Sequence, residues 1–127
     1  MSSPAEVVTD TPRRCRHFIG GAWVDPEATI ERHAPGTGEL DTVVGAGTVR
    51  EVEAAVTAAR AAFDSGRWSA APAPARAAVL MKAADLIAAN AAKLARLDAE
   101  EVGKPLKLAE ADVAGAAELT RYAASLA

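Results

Sequence analysis

Alanine constrains this chain more than any other feature. It supplies 33 of the 127 residues and leaves 31 larger apolar side chains, five of them aromatic. Burial free energy scales with apolar area, and alanine carries little of it. The chain is therefore expected to be helix-rich, with close packing of small residues in place of a thick aromatic core. A length of 127 residues sets one domain as the expectation.

The charge balance narrows the partners. Fourteen basic and 17 acidic residues give a net charge of −3, so there is no basic excess to hold a phosphate backbone, and nucleic-acid binding is disfavoured. No apolar run approaches the length of a membrane span. The single cysteine, Cys15, excludes an intramolecular disulfide and a multi-cysteine zinc site, and a cytoplasmic location is expected. Residues 1–16 read as a flexible tail. They contain Arg13, Arg14 and Arg16 but also Glu6 and Asp10, and no apolar stretch, which fits neither a signal nor a transit peptide. Cys15 then reads as an incidental tail thiol.

Residues 17–46 read as an antiparallel β region. Phe18-Ile19 and Ala22-Trp23-Val24 flank Gly20-Gly21, a pair able to take positive φ at both turn positions, so a tight hairpin is expected. A third strand over Thr29 to Ala34, a turn at Pro35-Gly36-Thr37-Gly38 and a strand over Leu40 to Val44 follow. From Thr48 the period lengthens to that of a helix, and residues 48–127 are expected to form three to four helices. Thr48 and Glu51 have capping-box spacing, and Val52, Val56, Ala59 and Phe63 share one face. Pro72 and Pro74 bound a linker before a helix from about Ala75, with Asn90 as a new N-cap within that run. Gly103-Lys104-Pro105 closes the segment, because glycine accepts the left-handed conformation and proline cannot continue a helix. The last helix starts near Pro105, with an apolar stripe at Ala109, Val113, Ala116, Leu119 or Thr120, and Ala123. It reaches Ala127 with no stop signal, so the chain is expected to be a truncated piece. The fold class is α+β.

Chemistry-bearing patterns are few. Gly45-Ala46-Gly47 lies between strand and helix, the setting of a dinucleotide loop, but Arg50 stands where the third glycine belongs, and a plain βα turn is expected. His17 and His33 have no second ligand at metal spacing. Asp98, Glu100 and Glu101 fall at a helix C-terminus, where the macrodipole disfavours anions. They form either a solvated patch offset by Lys104 or the seat of a cation. Gly115 lies mid-helix at a cost of about 1 kcal/mol relative to alanine, which asks for a close approach by a neighbouring helix or by a ligand.

Several stretches together resemble the aldehyde dehydrogenase superfamily. His17-Phe18-Ile19-Gly20-Gly21-Ala22-Trp23-Val24 is similar to its opening hairpin, and Ala34-Pro35-Gly36-Thr37-Gly38-Glu39 to its Asn-Pro-x-Thr-Gly-Glu turn. Val52 to Phe63 resembles its first helix and Trp68 the tryptophan that follows. Arg76, Leu80 and Ala84-Asp85-Leu86-Ile87 resemble the second helix. Glu101-Val102-Gly103-Lys104-Pro105 is similar to the Glu-Thr-Gly-Lys-Pro junction, and Asp112-Val113 with Arg121-Tyr122-Ala123 to the next helix. The order of these pieces across residues 17–127 carries the likeness.

The resemblance implies an N-terminal portion of the cofactor-binding domain of an enzyme that oxidises an aldehyde to a carboxylic acid with NAD or NADP. The Rossmann-type sheet and the catalytic cysteine, glutamate and asparagine of the family lie beyond residue 127. No catalytic and no cofactor-binding residue is therefore assigned here, and the chain alone is expected to be inactive and to bind no cofactor. In some members of the family the position of Glu101, with a backbone carbonyl near Arg32 or His33, holds a monovalent cation. The helix carrying Ala111 and Gly115 resembles one that borders the aldehyde entrance tunnel. The implied partners are the remainder of the chain, a small aldehyde and further copies in a homo-oligomer. The competing readings are a non-catalytic helical interaction module and an unrelated alanine-rich domain; motif order speaks against the second.

Overall fold

The computed structural model describes residues 12–127. Five strands precede four helices: β1 (Arg13–Cys15), β2 (His17–Ile19), β3 (Ala22–Val24), β4 (Ala28–His33), β5 (Leu40–Ala46), α1 (Val49–Asp64), α2 (Ala73–Ala89), α3 (Ala91–Val102) and α4 (Leu106–Ser125). The chain divides into two compact units, Met1–Arg60 and Ala61–Ala127, with the boundary inside α1. The α+β class holds.

In the first unit β2 and β3 form the expected antiparallel hairpin, pairing Phe18 with Trp23. Gly20 and Gly21 take φ of 61° and 86°, the positive values that a two-residue turn of the favoured twist requires. A separate sheet has the order β1-β5-β4. β4 and β5 are antiparallel, with an irregularity between Arg32 and His33. The 34–39 turn between them closes through the Gly38 N–H donating to the Ala34 carbonyl at 2.8 Å.

β1 corrects two expectations. Arg13–Cys15 is not tail: it pairs in parallel with Thr42–Val44 of β5, so the β region is not wholly antiparallel. The remaining tail residues up to 11 lie outside the described ones. The physical reason is that β5 offers a second edge, and backbone groups of Arg13–Cys15 satisfy it whatever their side chains. Apolar alternation, the signal sought in the sequence, is absent from such a strand.

In the second unit α4 packs against both α2 and α3. The core is Ala95, Ala109 and Val113, with Ile87, Ala91 and Ala99 against it. Small side chains let the helix axes approach closely, the packing that the alanine content predicts. Three details differ from the expectation. Pro74 lies in the first turn of α2, where a missing N–H costs nothing, so the helix starts at Ala73. Asn90 does not cap α3 with its side chain; its Nδ2 donates to the Leu86 carbonyl and closes α2. The buried stripe of α4 is Ala109, Val113, Ala117 and Ala124, rotated from the expected one, with Leu119 69% exposed. Alanines occupy both faces of this helix, so their spacing cannot tell core from surface.

Candidate functional site

α4 is apolar on two opposite faces. One face supplies Ala109, Val113, Ala117 and Ala124 to the core. Successive residues turn through about 100°, and this places Leu108, Ala111, Gly115, Leu119 and Tyr122 on the other face, where all are exposed. The structure thus brings the two predicted tunnel residues, Ala111 and Gly115, onto one strip a single turn apart. A Cβ added at Gly115 would meet nothing within 4 Å. The close approach by a neighbouring helix that a mid-helix glycine suggests does not occur among the described residues. An exposed apolar strip of this length on a helix that already buries its other face is surface that seeks cover.

The acidic cluster resolves into separate pairs. The Lys104 ammonium lies 2.7 Å from Asp98 of α3 and 2.7 Å from Asp112 of α4. Glu100 pairs with Arg96 one turn back at 3.0 Å. Glu101, the predicted cation ligand, is exposed in the last turn of α3. Asp112, and after it Asp98, hold the Lys104 pKa above the ordinary lysine value. Among the described residues no three His, Cys, Asp or Glu side chains converge as metal ligands do.

A second polar cluster sits in the first unit. Glu51 is 6% exposed. Its carboxylate accepts the Thr48 N–H at 2.8 Å, as the capping-box spacing predicts, and also the Glu27 N–H at 3.2 Å. His17 Nε2 stands 3.5 Å away. The Thr48 N–H is the main cause that holds the Glu51 carboxyl below the usual carboxylate range. Gly45 serves this packing rather than a phosphate. It lies inside β5 opposite Thr29, and a Cβ there would come within 2.9 Å of the Pro26 Cβ and 3.1 Å of the His17 ring. Cys15, in β1, is exposed. The sequence signal that could have found this cluster was the glycine followed by a capping box; the His17 contact had none.

Comparison with known proteins gives the family. The profile of the aldehyde dehydrogenase family matches residues 23–127. Aldehyde dehydrogenase 1 of Tanacetum cinerariifolium is 42% identical over 94 residues, 72% of this chain and 19% of that protein. Phenylacetaldehyde dehydrogenase of Pseudomonas fluorescens is 38% identical over 113 residues, 87% of this chain and 22% of that protein. Among solved structures, an NAD-dependent aldehyde dehydrogenase from Sinorhizobium meliloti superposes with a TM-score of 0.84 at 36% identity, covering 88% of this chain and 23% of that one. Betaine aldehyde dehydrogenase from Staphylococcus aureus in complex with NAD+ gives 0.85 at 34% identity, with 87% and 22% covered. The chain thus spans less than a quarter of each of these relatives. No helix among the described residues is long and apolar enough to cross a membrane. The chain belongs to the aldehyde dehydrogenase family, of which it is an N-terminal portion.

Proposed function

We propose that this chain is part of a cytoplasmic, homo-oligomeric enzyme that oxidises an aldehyde to a carboxylic acid with NAD or NADP. In that enzyme Ala111 and Gly115 border the path of the incoming aldehyde. The observation that carries this reading is the second apolar face of α4, with open space at Gly115. A free path needs a position without a side chain, and in an alanine-rich helix glycine has no intrinsic advantage. NAD+ in the betaine aldehyde dehydrogenase complex supports a nicotinamide cofactor. Glu101 is the proposed carboxylate ligand of a monovalent cation in the complete enzyme, since a hard cation prefers oxygen donors and relieves charge opposed by the helix dipole.

Residues 1–127 alone neither turn over an aldehyde nor hold the cofactor, because covalent and acid–base catalysis need groups within hydrogen-bond reach of one another. The protein of the whole reading frame should generate NAD(P)H from an aldehyde panel, and purified residues 1–127 should generate none. Turnover by residues 1–127 that vanishes in Cys15→Ala would overturn this reading. Strong binding of an apolar dye by residues 1–127 is expected from the exposed α4 face. Its absence, with a sharp monomeric unfolding transition, would favour a self-standing interaction module.

A further inference from the structure

The β2–β3 hairpin and the β1-β5-β4 sheet share no ladder. The His17 ring of β2 reaches across to the sheet and to α1. It lies beside Gly45 of β5, where an added Cβ would come within 3.1 Å of it, and its Nε2 stands 3.5 Å from Oε1 of Glu51 in the first turn of α1. That nitrogen is buried and, among the described residues, has no hydrogen-bond partner. An orphaned polar atom in such a place costs free energy until a partner is supplied. The carboxylate opposite is fixed by the Thr48 N–H at 2.8 Å and the Glu27 N–H at 3.2 Å, and the Thr48 N–H above all favours its ionised form. The other charges around His17 have partners of their own: Arg50 of α1 pairs with Glu27, and Arg16 with Asp25 at 3.4 Å. Val24, opposite His17 on β3, and Gly45 on β5 bring no charge. The ring therefore faces Glu51. A neutral imidazole offers one N–H and one lone pair, and an imidazolium offers two N–H groups. With a lone pair on Nε2 two acceptors oppose each other; with both nitrogens protonated the contact becomes charge-assisted.

We propose that His17 and Glu51 form a proton-operated latch: protonation of the His17 ring clamps the β2–β3 hairpin onto β5 and the start of α1, and loss of the proton lets the hairpin lift. The docked hairpin holds an imidazolium beside a carboxylate, and the lifted one leaves it in water. Docking therefore strengthens as pH falls through the range, about pH 8 to about pH 5, in which an imidazole ordinarily changes charge. The gain disappears once Glu51 itself is protonated. Burial of the ring opposes its charge only in part, since the side chain is still 20% exposed. The latch is independent of the aldehyde reading.

The test is backbone hydrogen exchange of residues 1–127 at about pH 8 and about pH 5.5, either side of the ordinary imidazole range. It is read as protection factors, which remove the intrinsic pH dependence of exchange. In the wild type, protection of the β2–β3 amides should rise by roughly three- to tenfold at the lower pH. Protection in α4, whose unit holds no histidine, should stay level. His17→Gln, which keeps His33, and Glu51→Gln should each lose the rise in the hairpin. No rise in the wild type, a rise of that size in either variant, or a rise shared by α4 would overturn the proposal. If a variant fails to fold, the wild type still decides, because a rise confined to the hairpin supports the latch and its absence ends it.

Discussion

The two units of this chain are stabilised by opposite means. Among the described residues of the first unit, the buried side chains are polar, Thr42 and Glu51, each tied to partners on other segments. Arg32 reaches both Thr42 and Asp41, and Arg13 reaches Asp41 from the neighbouring strand. In the second unit the buried set is Ala84, Ala95, Ala109, Val113, Ala117 and Ala124, with no polar member. A unit specified by hydrogen bonds should respond to charge and pH. One specified by the close approach of small residues should respond to volume.

The largest effect is therefore expected from volume in the second unit. Ala109 is 0% exposed and lies against Ala95 and Val113. Ala109→Leu should lower the unfolding free energy by about 2–3 kcal/mol, the upper range for overpacking, since leucine and alanine differ little in helix propensity. Ala92→Leu on the exposed side of α3 is the control and should stay within about 0.5 kcal/mol. Urea unfolding of both variants checks this, and equal effects would mean that the second unit is not closely packed.

The first unit has one position where volume also decides. Gly45→Ala would place a methyl group 2.9 Å from the Pro26 Cβ and 3.1 Å from the His17 ring. Relief needs a backbone or ring shift, with an expected loss of about 1–2 kcal/mol. Gly47→Ala meets only Val52 at an ordinary 3.8 Å and should cost little. Similar losses at both positions would show that the His17–Pro26 contact is not what requires glycine.

These contrasts also mark what the sequence could reveal. The Gly20-Gly21 hairpin and the Gly103 corner were legible because a positive φ is a local demand that glycine answers. The Thr48–Glu51 cap was legible through its fixed spacing. The parallel pairing of Arg13–Cys15 with β5 was not, since Arg-Arg-Cys carries no apolar alternation and the partner lies far along the chain. Lys104 and Asp98 lie on either side of the left-handed Gly103, so no helical spacing announces their pair. Of the candidate site, Ala111 and Gly115 fall together as helix periodicity requires. The core face of α4 was misread by part of a turn because alanine marks no side.

A smaller effect, and one confined to the first unit, is expected from pH. The folded-state pKa of Glu51 lies below its unfolded value, chiefly through the Thr48 N–H. A carboxyl with a depressed folded pKa stabilises above the usual carboxylate range, and that stabilisation is lost as pH falls through the folded value. Melting temperature should therefore drop on acidification from pH 7 to about pH 3 more steeply in the wild type than in Glu51→Gln. The two curves should converge at the acid end. Parallel curves would mean that the buried carboxyl adds nothing beyond what an amide provides.

The smallest effect is a gain. Gly115 lies in the interior of α4 with ordinary helical φ, and a methyl group there would meet nothing within 4 Å. Gly115→Ala should then raise the stability of residues 1–127 by about 0.5–1 kcal/mol, the helix-propensity difference with no packing term against it. A loss of stability would reveal a close neighbour of Gly115 and sink the idea of an open face. The same position separates stability from use. If α4 borders the aldehyde path, Gly115→Leu in the complete enzyme should lower kcat/KM for a long aldehyde far more than for acetaldehyde, because added volume narrows a path without touching the chemistry. Equal losses for both aldehydes would place Gly115 away from that path, and the second apolar face of α4 would then serve only to pack the remainder of the chain.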